Sequence, residues 1–169
     1  MGPMPRDPEP WRKLSGALDG RLTARARGLL ASEFVLLDSE GTEVGRLDIQ
    51  APAGAELTAG DVRARIERVG RSGYVMLSSG REILTSTAHP TSPEITSQDH
   101  PYETGLSLLR NRAEAGPKDH TATVHIRGGL TNRTYEASFD AGDENSLPVT
   151  LFLLYHLASQ RSKAYRAGG

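Results

Sequence analysis

The sequence has no cysteine, which excludes disulfides, thiolate zinc sites, cysteine nucleophiles and cysteine-linked lipid anchors. Aromatic residues make up only 5% of its 169 residues, so a core has to be built mainly from Leu, Val, Ile and Ala. There is no excess of either charge. Basic residues number 20 and acidic residues 21, a net charge of −1, and no overall field draws the chain toward nucleic acid or an anionic surface. The longest apolar run, Leu147 to Ala158, falls short of the roughly 20 residues needed to span a bilayer. The opening stretch, MGPMPRDPEPWRKL, lacks the apolar segment of a secretory signal. The expected location is therefore cytoplasmic, at most peripheral to a membrane, and the Asn132-Arg133-Thr134 sequon carries no meaning there. No P-loop, GxGxxG, GxSxG or aromatic–basic nucleic-acid motif occurs, and nothing calls for a cofactor.

What is present is turn chemistry. The 18 Gly and 10 Pro suit a meandering sheet with many reversals. The length suits one domain with a real core. Residues 1–10, with four prolines, read as a flexible tail, and residues 11–169 as a single domain. Nearly all basic residues are Arg, whose planar forks suit phosphate or carboxylate, although a GC-rich genome would give the same bias.

Along the chain, Trp11, Leu14, Leu18, Leu22, Ala26 and Leu29 recur at helical steps, weakened by Gly16 and Gly20; an irregular segment would also suit the mixed Arg and Ala residues. From Glu33 the pattern becomes strand-like. Phe34 to Asp38, the turn Ser39-Glu40-Gly41, and Thr42 to Gln50 predict a hairpin. Ala51 to Gly60 reads as a loop. Asp61 to Val69 fits strand or helix, and strand is preferred because a turn follows it into Tyr74 to Leu77. Phe34–Val44 is echoed by Tyr74–Ile83 with one residue deleted. Ala88 to Pro101 reads as a long exposed loop or a twice-broken strand. Tyr102 to Ala113 is ambiguous, and Gly116 to His120 is a turn. Thr121 to Arg127 and Asn132 to Phe139 alternate cleanly, and Gly128-Gly129 turns between them.

The last element is an apolar helix over about 146–160, with Ser146 as N-cap and Pro148 in the first turn. Leu147, Val149, Leu151, Phe152, Leu153, Leu154, Tyr155, Leu157 and Ala158 cover the whole circumference, not one stripe. Such a helix has to be surrounded, and a sheet curled around it does so economically. Leu151, Phe152, Leu154, Tyr155 and Ala158 are the predicted core of that helix. The fold class is mainly β, a closed antiparallel barrel wrapped around a hydrophobic C-terminal helix, with an N-terminal helix as a further element.

The early hairpin (Leu37 to Gly41 into Glu43 to Leu47), the late hairpin, the acidic linker Asp140 to Glu144 and the terminal apolar helix together resemble the tubby C-terminal-like superfamily. That superfamily includes the LURP-one-related and phospholipid-scramblase-like proteins. The resemblance covers roughly residues 33–50 and 120–160. It implies a 12-stranded barrel around a central helix and a link to phospholipid surfaces. It supplies no catalytic residues.

Candidate sites are few. Arg63, Arg65, Arg68 and Arg71 form the densest basic patch, a candidate for phosphate or lipid contact, with a solvated and partly self-neutralised face as the plainer reading. Asp99-His100 and Asp119-His120 are adjacent pairs, but residues next to one another point apart and no HExxH helix exists, so no metal site is expected. His89 belongs to the loop. His156, inside the apolar helix, reads as a neutral, hydrogen-bonded core histidine. The expected role is a non-enzymatic binding or scaffold module associating with phospholipid head groups or a protein partner. The alternative is a small-ligand carrier or sensor binding at the barrel mouth. A hydrolytic site using His100 or His120 would be the form of an enzyme.

Overall fold

Strands whose side chains alternate apolar and polar bury one face only, and a sheet of such strands hides that face most completely by closing on itself. The computed structural model, which describes residues 9–28, 32–50 and 54–167, shows this closure. After helix α1 (Glu9–Leu18) the strands are β1 (Arg21–Arg27), β2 (Glu33–Leu37), β3 (Glu43–Gln50), β4 (Gly54–Ala59), β5 (Val62–Val69) and β6 (Gly73–Ser78). They continue as β7 (Arg81–Thr87), β8 (Ile95–Ser97), β9 (His100–Ser107), β10 (Arg112–Pro117), β11 (Val124–Gly128) and β12 (Thr134–Ser138), followed by helix α2 (Ser146–Ala167). Each strand pairs antiparallel with the next, and β1 pairs with β12, so the twelve close into a barrel.

Helix α2 runs through the barrel. Leu147, Val149, Leu157 and every residue from Leu151 to His156 are at most 1% exposed, and Ala158 is half-buried against the same core. The helix packs on β8, β10 and β11, and the rings of Phe152, Tyr155 and His156 meet Tyr74 of β6 at 5.8, 5.8 and 6.0 Å. Strands therefore face it from several sides, as its circumferential apolar pattern requires.

Side-chain contacts fix the start of the helix. Tyr102 Oη donates to Asp143 at 2.6 Å, Ser97 Oγ to Asn145 Oδ1 at 2.9 Å, and Arg12 pairs with Glu144 at 2.7 Å. Helix α1 closes this end with Leu14 and Leu18 buried. Its Trp11 Nε1 donates to Ser78 Oγ at 2.9 Å.

Several expectations need correction. The helical pattern from Trp11 to Leu29 stops at Leu18. Asp19 and Gly20 take left-handed φ of 50° and 83°, and Arg21 to Arg27 is strand, because Leu22 and Ala24 also fit a period of two and β2 and β12 supply partners on both sides. Leu29 lies outside the described residues. Of the expected tail, residues 1–8 lie outside them too, and Glu9 and Pro10 open α1. Within the expected loop Ala51 to Gly60, Gly54 to Ala59 is β4, its small inward residues Ala55 and Ala59 disguising a strand; residues 51–53 are not described. The stretch Ala88 to Pro101 is not all exposed loop: it contains β8, and Pro93, Ile95 and Ser97 are buried. Strand β11 begins at Val124 and runs through Gly128, so the reversal falls on residues 129–133, closed by Gly129 N–H to Thr134 O at 3.0 Å. Asn145, not Ser146, is the N-cap: its carbonyl accepts the Val149 N–H at 3.2 Å, whereas Ser146 Oγ accepts from Asp140 N–H at 3.1 Å. The helix continues to Ala167, beyond the expected 160.

Candidate functional site

Polar side chains on the outer wall of a barrel follow the register of its strands. On β1 and β12 to β9 one outward row reads Arg21, Ser138, His125, Glu114, Gly105, and the next reads Thr23, Glu136, Arg127, Arg112, Ser107. Gly105, Ser107, Thr23 and Ser138 are small, so the long chains around them enclose a groove of about 900 Å³. Arg21, Arg110, Arg112, Arg127 and His125 line it, with Asp38, Glu114 and Glu136 as the acids.

The charges do not cancel. Arg127 pairs with Glu136 at 3.2 Å, and His125 lies 4.0 Å from Glu114. Among the described residues, Arg21, Arg110 and Arg112 have no carboxylate or other side-chain partner. Arg112 and Arg127 stand directly opposite one another on β10 and β11. Like charges in that position are destabilising, and an anion between them would offset the repulsion.

Ser138, His125 and Glu114 lie side by side in the order of nucleophile, base and orienting acid. No hydrogen bond joins the Ser138 hydroxyl to the imidazole, and His125 and Glu114 are both more than half exposed. An activated nucleophile needs a base within about 2.6–3.2 Å.

The four arginines singled out from the sequence fall in two pairs, Arg63 and Arg65 on the outer face of β5 and Arg68 beside Arg71 at its far end. Arg63 donates to the Gly60 and Val62 carbonyls, Arg65 pairs with Glu67 at 3.1 Å, and Arg68 donates to the Gly70 and Arg71 carbonyls over the ring of Tyr74. Arg63 follows the β4–β5 turn and Arg71 lies in the β5–β6 turn, at opposite ends of the barrel. The groove arginines are scattered in sequence from position 21 to position 127; pairing of β10 with β11 brings Arg112 to Arg127, and closure of β1 on β12 brings Arg21 to the same wall.

A second groove, of about 680 Å³, lies where α1 crosses the barrel mouth, between Trp11, Val62, Ile83 and Pro148. His100 and His120 share a shallow open hollow of about 430 Å³ with Asp143 and Glu144. Asp99 and Asp119 take left-handed φ of 69° and 65°, so the Asp of each Asp-His pair serves a turn. Among the described residues no group of three or more His, Asp or Glu could hold a metal ion.

No protein-family model and no curated protein matches the sequence. The barrel does have a solved counterpart, the X-ray structure of a protein from Arabidopsis thaliana, at a TM-score of 0.60, covering 86% of this chain and 93% of that one. Sequence identity is 9%, so the likeness is one of fold.

The buried histidine is the remaining titratable group of note. His156 Nε2–H donates to the His89 carbonyl at 2.9 Å, its ring stacks on Phe152 at 5.8 Å, and its Nδ1 has no partner. Burial pushes its pKa down, against the pull of the His89 and Pro90 carbonyls. With a folded pKa below the unfolded value of about 6.5, its contribution to stability is complete above that pH and is lost as pH falls, because the unfolded chain binds the proton first. The melting temperature should therefore drop between pH 7 and pH 5, and more steeply than in His156→Gln, which keeps a donor there without titrating. Equal slopes in the two proteins would refute the assignment.

Proposed function

We propose that this chain is a non-enzymatic binding module, a barrel of the tubby C-terminal-like kind, whose outer groove takes up a phosphorylated anionic group. The observation that carries the reading is the pairing of Arg112 with Arg127 across β10 and β11, flanked by the unpartnered Arg21 and Arg110. Arginine forks match phosphate oxygens bidentately, and the small floor residues leave the group room. The loose, exposed arrangement of Ser138, His125 and Glu114 favours recognition over catalysis. A protein that works this way suits the cytoplasm, with attachment to a membrane surface.

Inositol hexakisphosphate serves as a soluble probe. It should bind with an affinity that falls as salt rises. Arg112→Glu should weaken it by about tenfold or more, in line with the loss of one charge-assisted contact, while Arg65→Glu on the opposite wall should change it little. Equal loss in both variants would mean that the groove is not the site.

The mouth groove favours a second reading, uptake of a small apolar ligand. Trp11 is the sole tryptophan, so its fluorescence reports directly on that groove. A fatty acid or steroid that binds there should shift its emission saturably. A flat response across such compounds removes this reading.

A further inference from the structure

A net charge of −1 conceals a separation of charge along the barrel axis. Antiparallel order puts the connections 19–20, 38–42, 60–61, 79–80, 98–99, 118–123 and 139–145 at the end where α2 begins. They carry nine Asp or Glu against Lys118 alone. Helix α1 crosses the same end and adds Glu9, Arg12 and Lys13, with Arg12 held by Glu144 at 2.7 Å. The described connections 70–72, 88–94, 108–111 and 129–133 lie at the other end and carry Arg71, Arg110 and Arg133 against Glu94. Helix α2 emerges there with Arg161 and Lys163. The α2 macrodipole favours acids beside its first turn and bases beside its last. That accounts for Asp140, Asp143 and Glu144, but not for the acidic turns across the ring.

The apolar surface is divided in the same way. Among the described residues the exposed large hydrophobic side chains are Val69, Leu109 and Leu130, at 55%, 93% and 97% exposure. All three lie at the basic end. Leu109 and Leu130 stand on adjacent tips laced by Arg161, which donates to the Leu108 carbonyl and, at 2.6 Å, to Asn132 Oδ1. Asn111 Nδ2 ties the tips again by donating to the Gly129 carbonyl at 2.8 Å. The leucines are thus held outward before any contact is made. The acidic end has a socket instead, the groove of about 680 Å³ under α1 between Trp11, Val62, Ile83 and Pro148. Its wall is mixed in charge, Asp61 and Glu144 beside Arg12 and Arg81, and the surrounding turns are what make this end acidic.

We propose that copies of this chain associate head to tail, the leucine tips of one seated in the α1 groove of the next. Apolar tips then enter an apolar groove, and basic turns face acidic turns. Twelve strands about 4.8 Å apart and tilted by about 40° make a ring about 24 Å across at the backbone and about 34 Å across with side chains. An end face of that width, on the order of 900 Å², reaches the roughly 800 Å² per partner of a stable interface. Two copies meeting by the same end would oppose like charges, so the contact is heterologous. Because its two halves lie at opposite ends of one barrel, it continues as an open chain and does not stop at a dimer. The inference goes beyond the anion reading of the wall groove: of the basic turn residues, only Arg110 also lines that groove.

Sedimentation velocity at low ionic strength tests this. The sedimentation coefficient of wild type should rise with concentration past the value of a dimer, and high salt should lower it. The double variant Leu109→Ser, Leu130→Ser lacks the tips and should associate about tenfold more weakly per leucine. Gly16 lines the groove with nothing within 4 Å of its Cβ. Gly16→Arg should weaken association comparably, by filling the groove and repelling the tip arginines. Neither variant should melt below the parent, because all three positions are exposed. Mixed together, the two should form a one-to-one complex and go no further, since each keeps the end that the other lacks. Three results overturn the proposal: wild type that stays monomeric up to about 1 mM, either variant associating like wild type, or a mixture of the two that stays monomeric. A monomeric protein that binds inositol hexakisphosphate keeps the wall groove and loses the chain. Self-association in a protein that ignores the hexakisphosphate keeps the chain and loses the groove as an anion site.

Discussion

Leu154→Asp should leave no folded protein to purify. Leu154 is 1% exposed in the middle of α2, and strands face that helix from several sides, so no rotamer reaches water. The substitution removes the transfer energy of a buried leucine, about 1.5–3 kcal/mol. It also buries a carboxyl group without a partner, at a further several kcal/mol even if the group stays protonated. The sum rivals the whole stability of a typical domain, about 5–15 kcal/mol. Glu136→Lys provides the contrast: it breaks the exposed ion pair with Arg127, and such pairs contribute about 0–1 kcal/mol. Solubility and thermal melting of the two variants decide the matter. A soluble Leu154→Asp protein with an unchanged melting temperature would mean that α2 does not thread the barrel.

That helix was the most legible part of the sequence, because an all-round apolar pattern has few soluble solutions and a closed sheet is one of them. The strand pairs 33–50 and 124–138 were legible for a related reason: alternation shows where half-burial is uniform, as in Val124 and Ile126 or Tyr135 and Ala137. Strand β4 was hidden because its inward residues include Ala55 and Ala59, which carry little hydrophobic signal. Strand β1 was hidden because Leu18, Leu22 and Ala26 keep a helical spacing across a real boundary at Asp19 and Gly20. The groove was hidden for a different reason. Its residues are common surface types, and what distinguishes them is which strands the closed ring makes adjacent. Sequence proximity makes Arg63, Arg65, Arg68 and Arg71 conspicuous, and β5 with its following turn spreads them from one end of the barrel to the other.

Gly45→Leu should fail although the internal echo recommends it. The hairpins β2–β3 and β6–β7 share more than the likeness of Phe34–Val44 to Tyr74–Ile83. Each shifts register at the same point, between Leu36 and Leu37 in one and between Met76 and Leu77 in the other. Val44 and Ile83 are therefore the extra residues of matching bulges. The next residue faces Leu36 in the first hairpin and Met76 in the second, and it is Gly45 in one and the buried Leu84 in the other. The difference lies in the following strand. A Cβ on Gly45 would sit 2.5 Å from the Ala59 methyl carbon and against the Thr58 carbonyl oxygen, both of β4. Because backbone is in the way, neither neighbour can swing aside. Overpacking against a closed ring costs about 3 kcal/mol or more; for a chain of this size that is a fall in melting temperature of roughly 6–12 °C. Gly16→Ala sits on α1 with nothing within 4 Å of its Cβ, and should raise stability by about 0.5–1 kcal/mol through helix propensity alone. If Gly45→Leu melted as high as the parent, β3 and β4 would have room to part there, and the close approach of the two strands would not be what reserves the position for glycine.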